Sequence, residues 1–350
     1  MSVTIAVDVQ GSDHGIAEVV AGAKIAATEG IRIKLFGPRD EIERALGGKT
    51  AGIEVVHTDE VITTHEDPAL AARGKRDSSI VMAAKAVADG EADALVSAGP
   101  TGATLAASLF NMKRIKGVKR PAIAAILPDG QGGQSLLLDA GANIEVPAEM
   151  LVQFATLGAQ FSIRVLNVPN PRVGLLSIGE EDGKGHDRVV DAGRLLSDPA
   201  NSHHFNYLGN VEGRDITAGT VDVIVTDGFT GNVALKSIEG AARATMLAIV
   251  EAIKSDLLAK VGGLLAKRKL LELRKEIDPN TTGGALLLGL KRVSVVAHGS
   301  STSAGVAAAI RMAKRSVEGD VTGHMTAAIA ELSAGSESTD AVTVGDADDA

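Results

Sequence analysis

The chain has no cysteine and no tryptophan, and one tyrosine among its 350 residues. Without cysteine there is no disulfide, no thiolate metal ligand and no cysteine nucleophile. Aromatic residues are 2% of the chain, too few for the stacking platforms that hold single-stranded bases. The formal charge of -9 also works against broad nucleic-acid binding, so no nucleic-acid partner is expected. No apolar run is long enough to cross a bilayer. No basic leader precedes the first strand-like run, Val3–Val7, and the expected location is the cytoplasm. What is abundant is small and apolar: hydrophobic residues make up 45%, and there are 40 glycines. A core of Ala, Val, Leu and Ile suits helices packed closely on a parallel sheet.

Five times a short apolar run leads into a glycine-rich polar turn that opens a helix. Val3–Val7 is followed by Asp8-Val9-Gln10-Gly11-Ser12-Asp13-His14-Gly15, and Ala94–Ser97 by Ala98-Gly99-Pro100-Thr101-Gly102. Val173–Ile178 is followed by Gly179-Glu180-Glu181-Asp182-Gly183-Lys184-Gly185. Val221–Thr226 is followed by Asp227-Gly228-Phe229-Thr230-Gly231-Asn232, and Val293–Ala297 by His298-Gly299-Ser300-Ser301. Other strand-like runs are Ile31–Phe36, Ile53–His57, Ala122–Leu127, Leu136–Asp139 and His203–Leu208. Helix-like runs include Ala17–Glu29, Asp40–Leu46, Ser79–Ala88, Ala103–Lys113, Pro147–Ile163, a very long stretch from about Val233 to Ile277, and Ser303–Ser316. The alternation predicts an α/β fold, a largely parallel sheet with helices on both faces. Such folds bind ligands beyond the carboxyl ends of their strands. Backbone N–H groups at helix starts favour anions there. The class indicated is an enzyme handling a phosphorylated or anionic compound.

Taken in order, the motifs are specific where each alone is weak. To those above are added Arg73-Gly74-Lys75-Arg76-Asp77-Ser78-Ser79, Asp139-Ala140-Gly141-Ala142-Asn143, Gly209-Asn210-Val211-Glu212-Gly213 and Val233-Ala234-Leu235-Lys236. From about Val3 to Leu332 the chain resembles the bacterial PlsX family, the acyl-carrier-protein:phosphate acyltransferases of phospholipid synthesis. It departs from that pattern at Val9-Gln10-Gly11-Ser12, where a methionine and a double glycine are usual. Pro100 stands in place of an asparagine and Leu286 in place of a proline.

The resemblance implies transfer of a long-chain acyl group from acyl carrier protein to inorganic phosphate. The acyl phosphate product would serve a membrane glycerol-3-phosphate acyltransferase. It implies a fold similar to isocitrate and isopropylmalate dehydrogenases and to phosphotransacetylases, a homodimer, and no metal or organic cofactor. The reaction needs an oxyanion stabiliser and a proton for the departing thiolate, but no protein nucleophile. Lys184, between two glycines, is the candidate phosphate ligand, or else an exposed loop lysine. His298 is the candidate proton or oxyanion donor, or else a cap on the sheet edge. Asn232 and Asn210 either bond the substrate or hold their own turns. Asp227 either meets a ligand or caps the next helix, the more ordinary role. Glu180 and Glu181 are candidates to orient Lys184. Asp8, Gly11, Ser97, Gly99, Thr101, Gly102, Asn143, Gly228, Gly231 and Ser300 complete the expected substrate and phosphate contacts. Asp8, Asp13 and His14 read as loop hydrogen bonding, not as a metal site.

Lys254–Lys275 holds seven bases and two acids among leucines. With Gly262-Gly263 interrupting it, it reads as two helices meeting at an apolar tip, a protruding hairpin over about 254–275. Leu257, Leu264, Leu265, Lys267 and Arg268 would then meet an anionic membrane, the carrier protein or a second subunit. Asn111–Arg120, with five bases, is a second docking candidate for an acidic carrier protein, or else a solvated helix end. Residues 1–333 read as one catalytic domain and 334–350 as an acidic disordered tail. Rival functions are a phosphotransacetylase-like enzyme using acyl-CoA, a decarboxylating dehydrogenase on the same fold, and a membrane-bound scaffold for acyl carrier protein.

Overall fold

The structure, a computed structural model, describes residues 3–276 and 283–343. The strands are β1 (Thr4–Asp8), β2 (Arg32–Gly37), β3 (Ile53–His57), β4 (Ala94–Ser97), β5 (Ala122–Pro128), β6 (Gln134–Leu138), β7 (Arg172–Leu176), β8 (Asn206–Val211), β9 (Val223–Val225), β10 (Ala285–Leu288) and β11 (Val293–Val296). They form one sheet in the order β3-β2-β1-β4-β11-β10-β5-β6-β9-β7-β8. Strands β3, β2, β1, β4 and β11 pair in parallel, as do β6, β9, β7 and β8. The three central pairings, β11 to β10, β10 to β5 and β5 to β6, are antiparallel. The two parallel halves therefore run in opposite directions.

Their register decides what that means for a site. One crosswise row passes through Val55, Leu35, Val7, Val96, Val295, Leu286, Ala124, Leu138, Val225, Leu175 and Asn210. Both halves end at this row, approaching it from opposite sides. Asp8 and Ser97 follow it immediately in one half, and Asp139 in the other. The turns beginning at Asp227 and His298 follow within a few residues. The turns that the sequence singled out thus leave the sheet at one height.

The helices are α1 (Ile16–Thr28), α2 (Arg39–Leu46), α3 (Pro68–Gly74), α4 (Ser79–Ala88), α5 (Thr101–Met112), α6 (Ala148–Arg164), α7 (Asp187–Ser197), α8 (Pro199–Ser202), α9 (Gly228–Lys254), α10 (Leu257–Glu276), α11 (Ser303–Glu318) and α12 (Val321–Thr343). Strand alternation sends neighbouring side chains to opposite faces. Ile5 and Val7 pack with Val19 and Val20 of α1 and Ile310 of α11, while Ala6 packs with Ile80 and Val81 of α4 and Ala107 of α5. Helices therefore cover both faces, as an almost wholly apolar parallel sheet requires. Helix α6 is apolar nearly all round and buried nearly all round, with Phe154 and Phe161 fully inside.

Helices α9 and α10 form the protruding hairpin. The root of α9 packs on the body through Ala234, Leu235 and Ile238, and farther out it packs with α10. The chain reverses at Ser255-Asp256, not at Gly262-Gly263 as the glycines suggested. Those glycines lie inside α10, where a Cβ on Gly263 would stand 2.3 Å from Ile253. Gly263 lets the two helices come close, and neither glycine breaks α10. Asp256 accepts the Ala259 N–H at 2.8 Å and so starts α10.

The structure adds β10, which follows Gly283-Gly284 and pairs antiparallel on both sides. Strand β8 begins at Asn206, later than the apolar run at His203 implied. Helix α12 continues to Thr343, into the stretch read as a tail; 344–350, and the expected helix end at Ile277, lie outside the described residues. Once a helix is nucleated on a packed surface, each further residue costs little, so a polar stretch can extend it.

Candidate active site

The first half-sheet builds its turns around Asp8. Its carboxylate accepts the Ser97 hydroxyl at 2.8 Å and the Gln10 N–H at 3.1 Å, and Ser79 at the start of α4 donates to it as well. Burial pushes the Asp8 carboxyl up to about 6, against the pull of these hydrogen bonds. Ser97 in turn accepts the Gly99 N–H at 3.0 Å. Gly11 lies against this turn so closely that a Cβ would stand 2.9 Å from Gly99 Cα. The Asp13 N–H donates to the Gly299 carbonyl at 2.9 Å, joining the turn after β1 to the turn after β11. In that last turn, His298 Nδ1 accepts the Ser300 backbone N–H at 3.3 Å and lies 2.7 Å from its hydroxyl. A neutral His298 therefore carries its proton on Nε2. Both side chains are exposed.

The second half uses Asp139, which the sequence reading passed over in favour of Asn143. The Asp139 carboxylate collects the N–H groups of Ile123, Gly141, Ala142 and Asn143 at 2.7–3.1 Å, plus the Asn143 amide at 2.8 Å. Burial raises its pKa, with the hydrogen bonds from Ala142, Ile123, Asn143 and Gly141 opposing. The signal was present: an Asp two residues before a glycine commonly bonds its own turn. Asn143 is buried and donates to the Pro121 carbonyl at 2.9 Å, so its amide is spent inside the protein. The Gly228 N–H is likewise spent, on the Asn143 carbonyl at 2.7 Å. A Cβ on Gly231 would stand 1.9 Å from the Asp139 carbonyl oxygen, so α9 starts directly against this loop. Asp227 caps α9 by accepting the Thr230 N–H at 2.8 Å, its more ordinary role. Asn232, in the first turns of α9, is exposed and borders Gly141.

Beside β9, the turn after β7 carries Lys184. Asn210 donates to the Glu181 carbonyl at 2.8 Å and holds this turn from β8. Glu180 pairs with Arg214 at 2.6 Å, and Arg214 also reaches Glu212 at 2.7 Å, so Glu180 does not orient Lys184. Among the described residues no carboxylate pairs with the Lys184 ammonium, which is exposed with its stem over Gly179.

A small apolar seam joins the halves. It contains Ile123 and Ala125 of β5, Leu287 of β10, Val296 of β11 and Ala140, with Leu105 and Leu109 of α5, Ala142 and Leu235 of α9 packed on it. The helices opened by the Thr101 and Asp227 turns thus lie over the same central strands, and His298 follows the seam residue Val296 by two positions. The structure brings Asp8, Ser97, Gly99 and Gly11 together. It brings Asn143, Asp227, Gly228, Gly231 and Asn232 together around Asp139, and Asn210 with Lys184. No hydrogen bond among the described residues joins Lys184, Asn232 and His298 to one another. Strands β11 and β9 are four steps apart, about 19 Å along the sheet. The ligand-facing set left exposed is Gly11, Thr101, Lys184, Asn232, His298 and Ser300, with Gly102 half-buried. Among the described residues, Asp8, Asp13 and His14 are not close enough together to hold a metal, whereas ligand atoms of His203, His204 and Glu331 lie within 4.8 Å of one another.

Residues 3–324 match the family described as fatty acid synthesis protein. Curated relatives named phosphate acyltransferase include one from Pelotomaculum thermopropionicum, 45% identical over 90% of this chain and 91% of its own. One from Thermobifida fusca is 45% identical over 94% and 92%, and one from Bacillus subtilis 43% identical over 91% and 95%. The chain belongs to the phosphate acyltransferase (PlsX) family. Like the family, it is an acyltransferase. Solved structures with the same fold include a phosphotransacetylase from Streptococcus pyogenes (TM-score 0.60, 16% identity, 90% of this chain and 94% of that one) and the EutD phosphotransacetylase from Staphylococcus aureus (TM-score 0.59, 16% identity, 90% and 94%). A chain described as a 4-hydroxythreonine-4-phosphate dehydrogenase from Salmonella typhimurium matches with a TM-score of 0.52 at 13% identity, over 90% of this chain and 99% of that one. The dehydrogenase-like fold expected from the motifs is therefore the fold observed.

Proposed function

We propose that the protein transfers a fatty acyl group from acyl carrier protein to inorganic phosphate, releasing an acyl phosphate for phospholipid synthesis. The observation that supports this reading is that the turns after β1, β4, β11, β9 and β7 leave the sheet at one height, with Lys184, Asn232 and His298 exposed on them. A phosphate oxygen attacks the thioester carbonyl carbon, the C–S bond breaks, and the thiolate takes a proton. Lys184 holds the phosphate as a compact point charge. The Nε2–H of His298, fixed by Ser300 on the other ring nitrogen, donates a hydrogen bond to the oxyanion, and the leaving thiolate takes the proton that hydrogen phosphate loses on becoming the acyl phosphate. Asn232 orients the thioester carbonyl. Proximity supplies much of the remaining rate, with effective molarities reaching ~10⁵ M.

Two surfaces fit the partners. Lys113, Arg114, Lys116 and Lys291 ring a surface hollow of about 510 Å³ with Leu109, Ile115 and Val118, which suits an acidic carrier protein. On the hairpin, Leu257, Leu258, Leu264 and Leu265 are 71–83% exposed beside Lys267 and Arg268, which suits an anionic bilayer. No described helix is long and apolar enough to cross a membrane. The phosphotransacetylase likeness of the fold keeps acyl-CoA as the second donor to test.

Purified protein given acyl carrier protein thioester is expected to yield hydroxamate, after hydroxylamine trapping, only when phosphate is present. Lys184→Ala and His298→Ala are each expected to lower kcat/KM by about 100-fold with Tm unchanged, because both side chains are exposed. Equal hydroxamate without phosphate, or full activity in both variants, excludes the mechanism. A preference for acyl-CoA shifts the donor but not the acceptor.

A further inference from the structure

Strand β8 starts at Asn206, so His203 and His204 stand in the turn between α8 and β8, against helix α12. His203 Nε2 lies 3.2 Å and His204 Nε2 2.9 Å from one and the same atom, Oε2 of Glu331 on α12. His203 Nδ1 lies 3.1 Å from the Ala200 carbonyl. A carbonyl only accepts, so this Nδ1 carries a proton, and the Nε2 of a neutral His203 presents a lone pair to the carboxylate. Two acceptors face each other, and the contact is favourable only with a cation between them.

A proton on His203 serves that contact alone. His204 Nε2 is buried and, although 2.9 Å from Glu331 Oε2, has no hydrogen-bond partner of good geometry among the described residues. One ion bonded to all three atoms satisfies both contacts.

We propose that His203 Nε2, His204 Nε2 and Glu331 Oε2 bind a divalent transition-metal ion of the zinc type, with water completing the shell. The three ligand atoms lie within 4.8 Å of one another. With zinc–ligand bonds of about 2.0–2.1 Å, tetrahedral ligands stand ~3.3 Å apart, close to the two spacings observed. Two imidazoles and one carboxylate suit zinc, whereas magnesium and calcium take oxygen cages. The Ala200 carbonyl on Nδ1 is the kind of outer partner that fixes a metal-binding tautomer. The ion would staple α12 to the turn before β8, apart from the acyl-transfer turns, and its binding is independent of phosphate.

Full-length protein stripped with a chelator and titrated with Zn²⁺ by calorimetry at about neutral pH tests this. One equivalent per chain is expected, with a rise in Tm. The double variant His203→Ala/His204→Ala and the single variant Glu331→Gln are each expected to weaken binding at least about tenfold. Their side chains are half-buried or exposed, and matching metal-free unfolding curves establish that the variants fold. Cobalt(II) is expected to give a visible absorption band of low-coordinate type in the parent and none in the double variant. No saturable zinc binding by the stripped parent, or equal binding by the double variant, overturns the site.

Discussion

Asp8 and Asp139 occupy matching places in the two half-sheets, each the first residue past the same crosswise row and each buried. Their surroundings differ. Asp139 is saturated by four backbone N–H groups and an amide. Asp8 has one backbone N–H, from Gln10, and hydroxyls from Ser97 and Ser79. The same residue type at the same height is thus a loop organiser in one half and a tie between three turns in the other. The count of fixed donors, more than burial, separates the two roles.

The largest expected effect breaks the saturated side. Asp139→Ala leaves four N–H groups with no acceptor in the interior and unseats the surface on which α9 starts. Losing one partner of a buried charged network costs about 3–5 kcal/mol, so urea unfolding should show a loss of about 4 kcal/mol or no folded protein. Asp139→Asn, which keeps one acceptor oxygen, should recover part of it. A loss under about 1 kcal/mol in the alanine variant would mean that the donor count does not define the difference between the halves.

Most of the fold was legible because parallel strands buried on both faces are continuous apolar runs, and Val3–Val7, Ala94–Ser97 and Val293–Ala297 stand out as such. Asp227 as a helix cap was legible from local chemistry. Strand β10 was not. Ala285–Leu288 is four residues beside two glycines, and its antiparallel pairing depends on partners about 160 residues away in β5. The opposed direction of the two halves was hidden for the same reason, since only the central strands carry it. Asn143 was chosen over Asp139 because composition shows which polar residues sit in a turn, not which one the turn wraps around. Gly262-Gly263 misled because a glycine that breaks a helix and one that admits a neighbouring helix look alike until Ile253 is in place.

The second effect sharpens the titratable side. In the fold Asp8 holds its proton up to about pH 6, whereas the unfolded chain releases it near 3.8. Between those values the folded state binds more protons than the unfolded state. Stability from this group is therefore full below about pH 3.8, falls as pH rises toward 6, and is level above. The displacement corresponds to about 3 kcal/mol. Asp8→Asn should remove that slope, so the stability difference between variant and parent should move by about 2.4 kcal/mol in the variant's favour from pH 4 to pH 7. Parallel urea-midpoint profiles would mean that Asp8 does not titrate in this window.

The smallest effect concerns what each half does with the helix it launches. Helix α5, from the first half, lays Leu105 and Leu109 onto the seam. Helix α9, from the second half, uses only its root that way and continues into the hairpin, where Leu264 and Leu265 are 71% and 83% exposed. Leucines that cover no core can be replaced at little cost to the fold, so Leu264→Glu/Leu265→Glu should leave stability within about 0.5 kcal/mol of the parent. The two negative charges added to this face of α10 should lower binding to anionic vesicles at least about tenfold, read by co-sedimentation, with phosphate-dependent acyl transfer in solution unchanged. Light scattering on the same variant separates two roles for these leucines. An unchanged mass with lost vesicle binding marks a membrane-facing helix, whereas a fall in mass with vesicle binding retained marks a surface that packs against a second copy of the chain and removes the membrane role from the hairpin.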